Sequence, residues 1–75
     1  DYDLIFVLTD KKSHNGLELF KVLKKQNKNT ILVEPNNFII DKKLFKNKKD
    51  CAIFTSSSVS LTQVNNFVSA LKKLK

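Results

Sequence analysis

The stretch Asp3-Leu4-Ile5-Phe6-Val7-Leu8-Thr9-Asp10-Lys11-Lys12-Ser13-His14-Asn15-Gly16-Leu17-Glu18 decides how the chain is read. Its five consecutive apolar residues, Leu4 to Leu8, do not alternate with polar ones. That is the pattern of a strand buried on both faces, as in parallel sheets covered by helices. Five apolar residues also fit a helix, but Asp3 in front and the polar cluster behind favour the strand. The polar loop from Thr9 to Gly16 follows, and then helix-patterned sequence. A loop at the carboxyl end of such a strand is where open α/β sheets bind ligands.

Working outward, Gly16 to Asn27 carries Leu17, Leu19, Phe20, Val22 and Leu23 on one wide apolar face. Asn15 reads as its N-cap, with Glu18 three residues on in a near capping box, and the lysines at the far end suit the negative pole of the helix dipole. Thr30 to Glu34 reads as a second strand, closed by the turn Pro35-Asn36-Asn37. Phe38-Ile39-Ile40 fits a brief extended piece or a hydrophobic lid. Asp41 to Lys46 fits one or two helical turns capped by Asp41 and anchored by Leu44 and Phe45. Asp50 to Thr55 reads as a third strand, followed by the hydroxyl-rich loop Ser56-Ser57-Ser58-Val59-Ser60. Leu61 to Leu74 is the clearest helix, with Leu61, Val64, Val68 and Leu71 in one stripe and Ser60 with Gln63 as its capping box.

Strand, helix, strand implies a right-handed parallel crossover. The whole order implies one α/β domain over residues 1–75. It is a small three-layer sandwich with a three-stranded parallel sheet, strand order 2-1-3, and helices on both faces. The length suits a single modest core. The chain begins at Asp1 and has no methionine, so we expect a fragment or lobe of a larger multidomain protein.

Fourteen lysines, no arginine and seven acidic residues give a net charge of +7, compatible with nucleic acid, an anionic surface or a phosphorylated small molecule. Without arginine, bidentate reading of guanine and forked clamping of phosphate are missing, which lowers the nucleic-acid option. Lysine and the eight asparagines share A/T-rich codons, so genome bias is an alternative source of the charge. The single cysteine, Cys51, forms no intramolecular disulfide and fits a reducing compartment. No apolar stretch approaches the ~20 residues that span a bilayer. The expectation is a cytoplasmic protein without membrane contact, or an organelle stroma if the parent chain carries a targeting segment.

In a 2-1-3 sheet the carboxyl ends of strands 1 and 3 border the switch-point crevice. That places Ser13, His14 and Asn15 opposite Ser57, Ser58 and Ser60. Two helix N-termini with free backbone N–H groups, serine hydroxyls and an asparagine amide form an anion site suited to phosphate or diphosphate, with Lys11 and Lys12 adding attraction. Serine and asparagine are also the preferred N-caps, so capping alone accounts for Asn15 and Ser60 equally well. His14 fits a solvated loop residue, Cys51 a buried small one, and Lys42, Lys43, Lys46, Lys48 and Lys49 a solvated face. No metal-ligand spacing, glycine-rich phosphate loop, acid pair or Ser/His/Asp arrangement is visible, so no catalytic residue is assigned.

The chain resembles the carboxyl-terminal third of the 4-hydroxy-3-methylbut-2-enyl diphosphate reductases, the LytB/IspH family, as a divergent member. The resemblance rests on Asp3-Leu4-Ile5-Phe6-Val7 followed by Lys11, on Ser13-His14-Asn15, Leu19, Asn29-Thr30 and Ile31-Leu32-Val33-Glu34, and on Ile53-Phe54-Thr55 running into the serine loop. The family has Ser-Ser-Asn in the first loop and Thr-Ala-Gly-Ala-Ser-x-Pro at the second. Here His14 replaces the middle serine, Thr9-Asp10 replace a more glycine- or serine-like turn, and Leu61 takes the proline's place. The resemblance implies a lobe of an iron–sulfur reductase of isoprenoid biosynthesis that supplies donors to the substrate diphosphate. Ser13 and Asn15 match the first loop, and the second-loop serine falls near Ser58, with Val59 strictly aligned and Ser60 the other candidate. It also implies a 4Fe-4S cluster in the parent protein, held by upstream cysteines that Cys51 does not match, with no cofactor in this stretch. The partners expected are a small-molecule diphosphate and the remaining domains of the parent. The rival reading is a basic α/β nucleic-acid- or protein-binding module without enzymatic activity.

Overall fold

A computed structural model describes residues 2–57 and 59–74. The elements are β1 (Leu4–Leu8), α1 (His14–Gln26), β2 (Thr30–Val33), a single 3-10 turn (Lys42–Phe45), β3 (Cys51–Thr55) and α2 (Leu61–Leu74). The sheet is parallel throughout, with order β2-β1-β3 as the crossover argument requires. β1 is the centre. Ile5 to Leu8 pair with Thr30 to Val33 on one side, and Leu4 to Leu8 pair with Cys51 to Thr55 on the other.

All five β1 side chains are buried. Because strand side chains alternate between faces, Leu4, Phe6 and Leu8 point one way and Ile5 and Val7 the other. The first set joins Val33 with Phe67 and Leu71 of α2 in the main core. Phe67 holds it together, its ring standing edge-on to Phe6 and to Phe38, each at 5.2 Å between centroids. Edge-to-face pairs of this kind add about 0.5–1.5 kcal/mol beyond the area they bury. Helix α1 covers the other face over β1 and β2. It stops short of β3, whose Phe54 remains exposed along with Val22 and Tyr2.

The segment between β2 and β3 completes the core without forming a strand. Phe38 and Ile40 turn inward against it, while Ile39 between them is 96% exposed. Asp41 caps the 3-10 turn by accepting the Lys43 N–H at 2.9 Å, and Leu44 and Phe45 anchor it as expected. Asn47 then reverses the chain with a positive φ of 62°, a conformation asparagine tolerates better than most residues.

The amino end of the sheet is stitched by side chains. Asn27, the C-cap of α1, donates to the Tyr2 carbonyl, and Asn29 donates to that of Asp3. Thr30 gives its hydroxyl to the last carbonyls of α1, those of Leu23 and Asn27. Several asparagines therefore have structural tasks beyond any compositional bias. Among the described residues no helix is long and apolar enough to cross a membrane.

Gly16 explains how closely α1 lies on β1. A Cβ there would stand 2.6 Å from Thr9 Cβ and 2.9 Å from its Cγ2, and nearer still to Oγ1. Both partners are held by backbone, so the helix would have to lift. Gly16→Ala is expected to lower stability by about 1–3 kcal/mol despite its better helix propensity, as read by urea denaturation. A neutral or stabilising result would refute the close approach. Asp3 gives a second check. Its carboxylate accepts the Lys49 N–H at 2.8 Å, and that bond holds its pKa below the usual 3.8. Because the folded value is depressed, the stabilisation is present above pH 3.8 and is lost as pH falls through the lower folded pKa. A carboxyl NMR titration of Asp3 with a midpoint at or above 3.8 would contradict this.

Candidate functional site

Helix α1 starts at His14, two residues before the start at Gly16 that an Asn15 cap would set. Asp10 forms an Asx turn, its side chain accepting the Lys12 N–H at 3.0 Å and its carbonyl the Ser13 N–H at 2.9 Å. This leaves Ser13 as the last extended residue, and its Oγ accepts the Gly16 N–H at 3.2 Å. Ser13 is therefore the N-cap, and His14 and Asn15 lie in the first turn. Among the described residues, neither their backbone N–H groups nor the exposed Asn15 amide has a hydrogen-bond partner.

At the other helix the expected capping box is present in both directions. Ser60 N–H donates to Gln63 Oε1 at 2.9 Å, and Gln63 N–H donates to Ser60 Oγ at 3.2 Å. Ser58 lies outside the described residues.

A buried hydrogen bond joins the two loops at their base. Thr9 Oγ1 donates to Ser56 Oγ at 2.9 Å, while Ser56 N–H reaches the Leu8 carbonyl and Thr9 N–H that of Val33. All three strand ends are thus locked together beneath the loops. Above them lies a cavity of about 110 Å³ walled by Asp10, Glu34, Pro35, Asn36, Val59 and Gln63. Ser13, His14 and Asn15 are not among its walls. Since α1 and α2 pack on opposite faces, it is the loop after β2 that meets α2 here, through Gln63 Nε2 donating to Asn36 Oδ1 at 2.9 Å.

The cavity has an acidic rim. Asp10 and Glu34 both border it, and Lys11 offsets one charge by pairing with Glu34 at 3.4 Å. Sequence reasoning missed Thr9, Ser56 and Asn36 as parts of this end of the sheet. The available signal was positional: a hydroxyl residue follows each of the strands β1 and β3. His14 is exposed, and among the described residues no three His, Cys, Asp or Glu side chains cluster for a metal. An iron–sulfur cluster does not fit this chain either. Such clusters take several cysteine thiolates, and the single cysteine sits at the start of β3, the opposite end of the sheet.

A central parallel strand flanked by two crossovers, with two capped helix N-termini above its carboxyl edge, is the arrangement of an open α/β domain, the class in which ligands are bound at that edge. The model of one family, LytB protein, matches residues 1–72, and the chain belongs to that family. It is accordingly a LytB/IspH-like protein of isoprenoid biosynthesis, within an oxidoreductase family. Neither curated proteins nor solved structures give a significant match to the chain.

The buried loop tie can be tested by Thr9→Val, which keeps the shape and deletes the donor. Stability should fall by about 1–3 kcal/mol, read by chemical denaturation. An unchanged midpoint would show that the Thr9 to Ser56 bond contributes nothing net.

Proposed function

We propose that this chain is the lobe of a LytB/IspH-like reductase that binds the diphosphate of a prenyl-type substrate. The donors are Ser13, His14 and Asn15 at the start of α1, with Ser58 and Ser60 before α2. The first turn of α1 carries the reading. Its cap is satisfied internally, yet two backbone N–H groups and an amide stay uncommitted at a positive helix end. The match to the LytB family over residues 1–72 supports the reading, and the resemblance puts the first-loop serine and asparagine of that family at Ser13 and Asn15. The lobe is not catalytic by itself. An iron–sulfur cluster elsewhere in the parent protein supplies the electrons for reductive dehydroxylation, and the remaining domains close the site.

Asp10 and Glu34 set the cost. Their charges oppose a diphosphate approaching across the sheet end, so binding by the lobe alone is weak, and most of the affinity comes from the assembled protein. The rival reading, a nucleic-acid- or protein-binding module, draws on the lysine excess and predicts binding spread over the surface with a steep salt dependence.

Titration with inorganic diphosphate, followed by two-dimensional amide NMR, separates the two. Saturable shifts confined to Ser13 to Gly16 and Ser57 to Leu61 are expected. Asn15→Ala, which leaves the cap intact, should weaken binding by about tenfold, and Asp10→Asn should strengthen it by about two- to fivefold. Shifts absent there, or diffuse across the lysines, would overturn the proposal.

A further inference from the structure

A larger cavity lies at the opposite end of the sheet, where the strands begin. It measures about 550 Å³, within the range of small-molecule sites. Its floor is apolar: Phe45 from the 3-10 turn, Cys51 from the start of β3 and Leu74 from the end of α2. Phe45 also packs on Phe6 at 6.1 Å between centroids, so this floor is continuous with the core.

The rim is cationic. Lys42, Lys46, Lys48 and Lys49 surround the opening, and Asp50 is the one acidic residue in the wall. The chain is turned to produce this arrangement. Lys48 N–H returns to the Phe45 carbonyl at 3.0 Å, and the left-handed Asn47 reverses the chain so that Lys48 and Lys49 line the same cavity as Phe45. Nearby Asp3 is already engaged with the Lys49 N–H. Among the described residues, ion pairs are formed by Lys11 and Lys21, and none by the four rim lysines. Lysines without a direct ion pair, two of them also within electrostatic reach of Asp3, beside an apolar lining are complementary to one kind of ligand, a negative head on a short hydrocarbon body.

We propose that this cavity binds a small anionic amphiphile, its carboxylate or phosphate head on Lys42, Lys46, Lys48 and Lys49 and its alkyl body against Phe45, Cys51 and Leu74. The site is separate from the diphosphate crevice and stands or falls without it. A cavity of this volume fits a small molecule rather than an extended acidic peptide.

Cys51, the single cysteine, makes the site directly readable. The rate of its alkylation by iodoacetamide is followed by mass spectrometry with octyl phosphate kept below its micelle-forming concentration. At about ten times its Kd the ligand should slow alkylation about tenfold. Inorganic phosphate and octanol, each carrying half of the chemistry, should not slow it at the same concentration. The double variant Lys42→Glu with Lys46→Glu should lose the protection, read as the ratio of its own liganded and unliganded alkylation rates, while keeping the wild-type circular dichroism. A second variant, Lys49→Gln, should weaken protection in the same direction if the pair fails to fold. Lack of protection by octyl phosphate, equal protection by phosphate or by octanol, or stronger protection by an acidic peptide would each overturn the proposal.

Discussion

The double burial of β1 is the constraint on which the rest of the structure depends. Each of its residues is paired to a neighbouring strand, and each side chain is removed from water. A chain of this size has one core's worth of apolar sequence, and β1 divides it between two faces. The face carrying Leu4, Phe6 and Leu8 takes most of it, through Phe67, Leu71 and the aromatic residues of the β2 to β3 segment. The other face is covered by α1, which Gly16 lets come down onto Thr9. Losing a buried phenylalanine typically costs ~3–5 kcal/mol, a large share of the total stability of a small domain. Phe67, touching Phe6 and Phe38 at once, is therefore the side chain the main face can least do without.

The same geometry places the functional end. Parallel strands that stop together leave their loops side by side, and the Thr9 to Ser56 bond locks the first and third before either loop begins. What stands above is mixed in character. Helix α1 offers uncommitted donors, whereas Asp10 and Glu34 line the neighbouring cavity with negative charge. A diphosphate bound as proposed would be oriented by hydrogen bonds more than drawn in by raw electrostatic attraction. Four of the fourteen lysines gather instead about the opposite end, around Phe45.

Much of the fold was legible because the local signals agreed with one another. The uninterrupted Leu4 to Leu8 run marked a doubly buried strand, and the Ser60 and Gln63 pair marked the start of α2 where the structure has it. The start of α1 was less legible, since Ser13 and Asn15 are both good caps. The choice between them was made by the Asx turn at Asp10 and by the contact of Gly16 with Thr9, one loop deep and one tertiary. The site residues could be placed on their loops from sequence, but the approach of the loop after β2 to α2 could not. That depended on the opposite faces taken by α1 and α2, which brought Asn36 to Gln63. The cavity around Phe45 was hidden for a similar reason: its floor comes from three elements distant in sequence, and its lysines taken singly look like an ordinary solvated surface.

One feature of the sheet also bears on how the molecule behaves in a crowd of its own kind. β3 is an edge strand, and its sequence, Cys51-Ala52-Ile53-Phe54-Thr55, contains neither a charge nor a proline. Its outer row of backbone groups, beside the exposed Phe54, would accept another strand. The net charge of +7 opposes that approach by long-range repulsion. That repulsion fades within about 10 Å at 0.1 M salt. Colloidal stability is thus delegated to ionic strength, with the lysines serving the unguarded edge as well as any ligand.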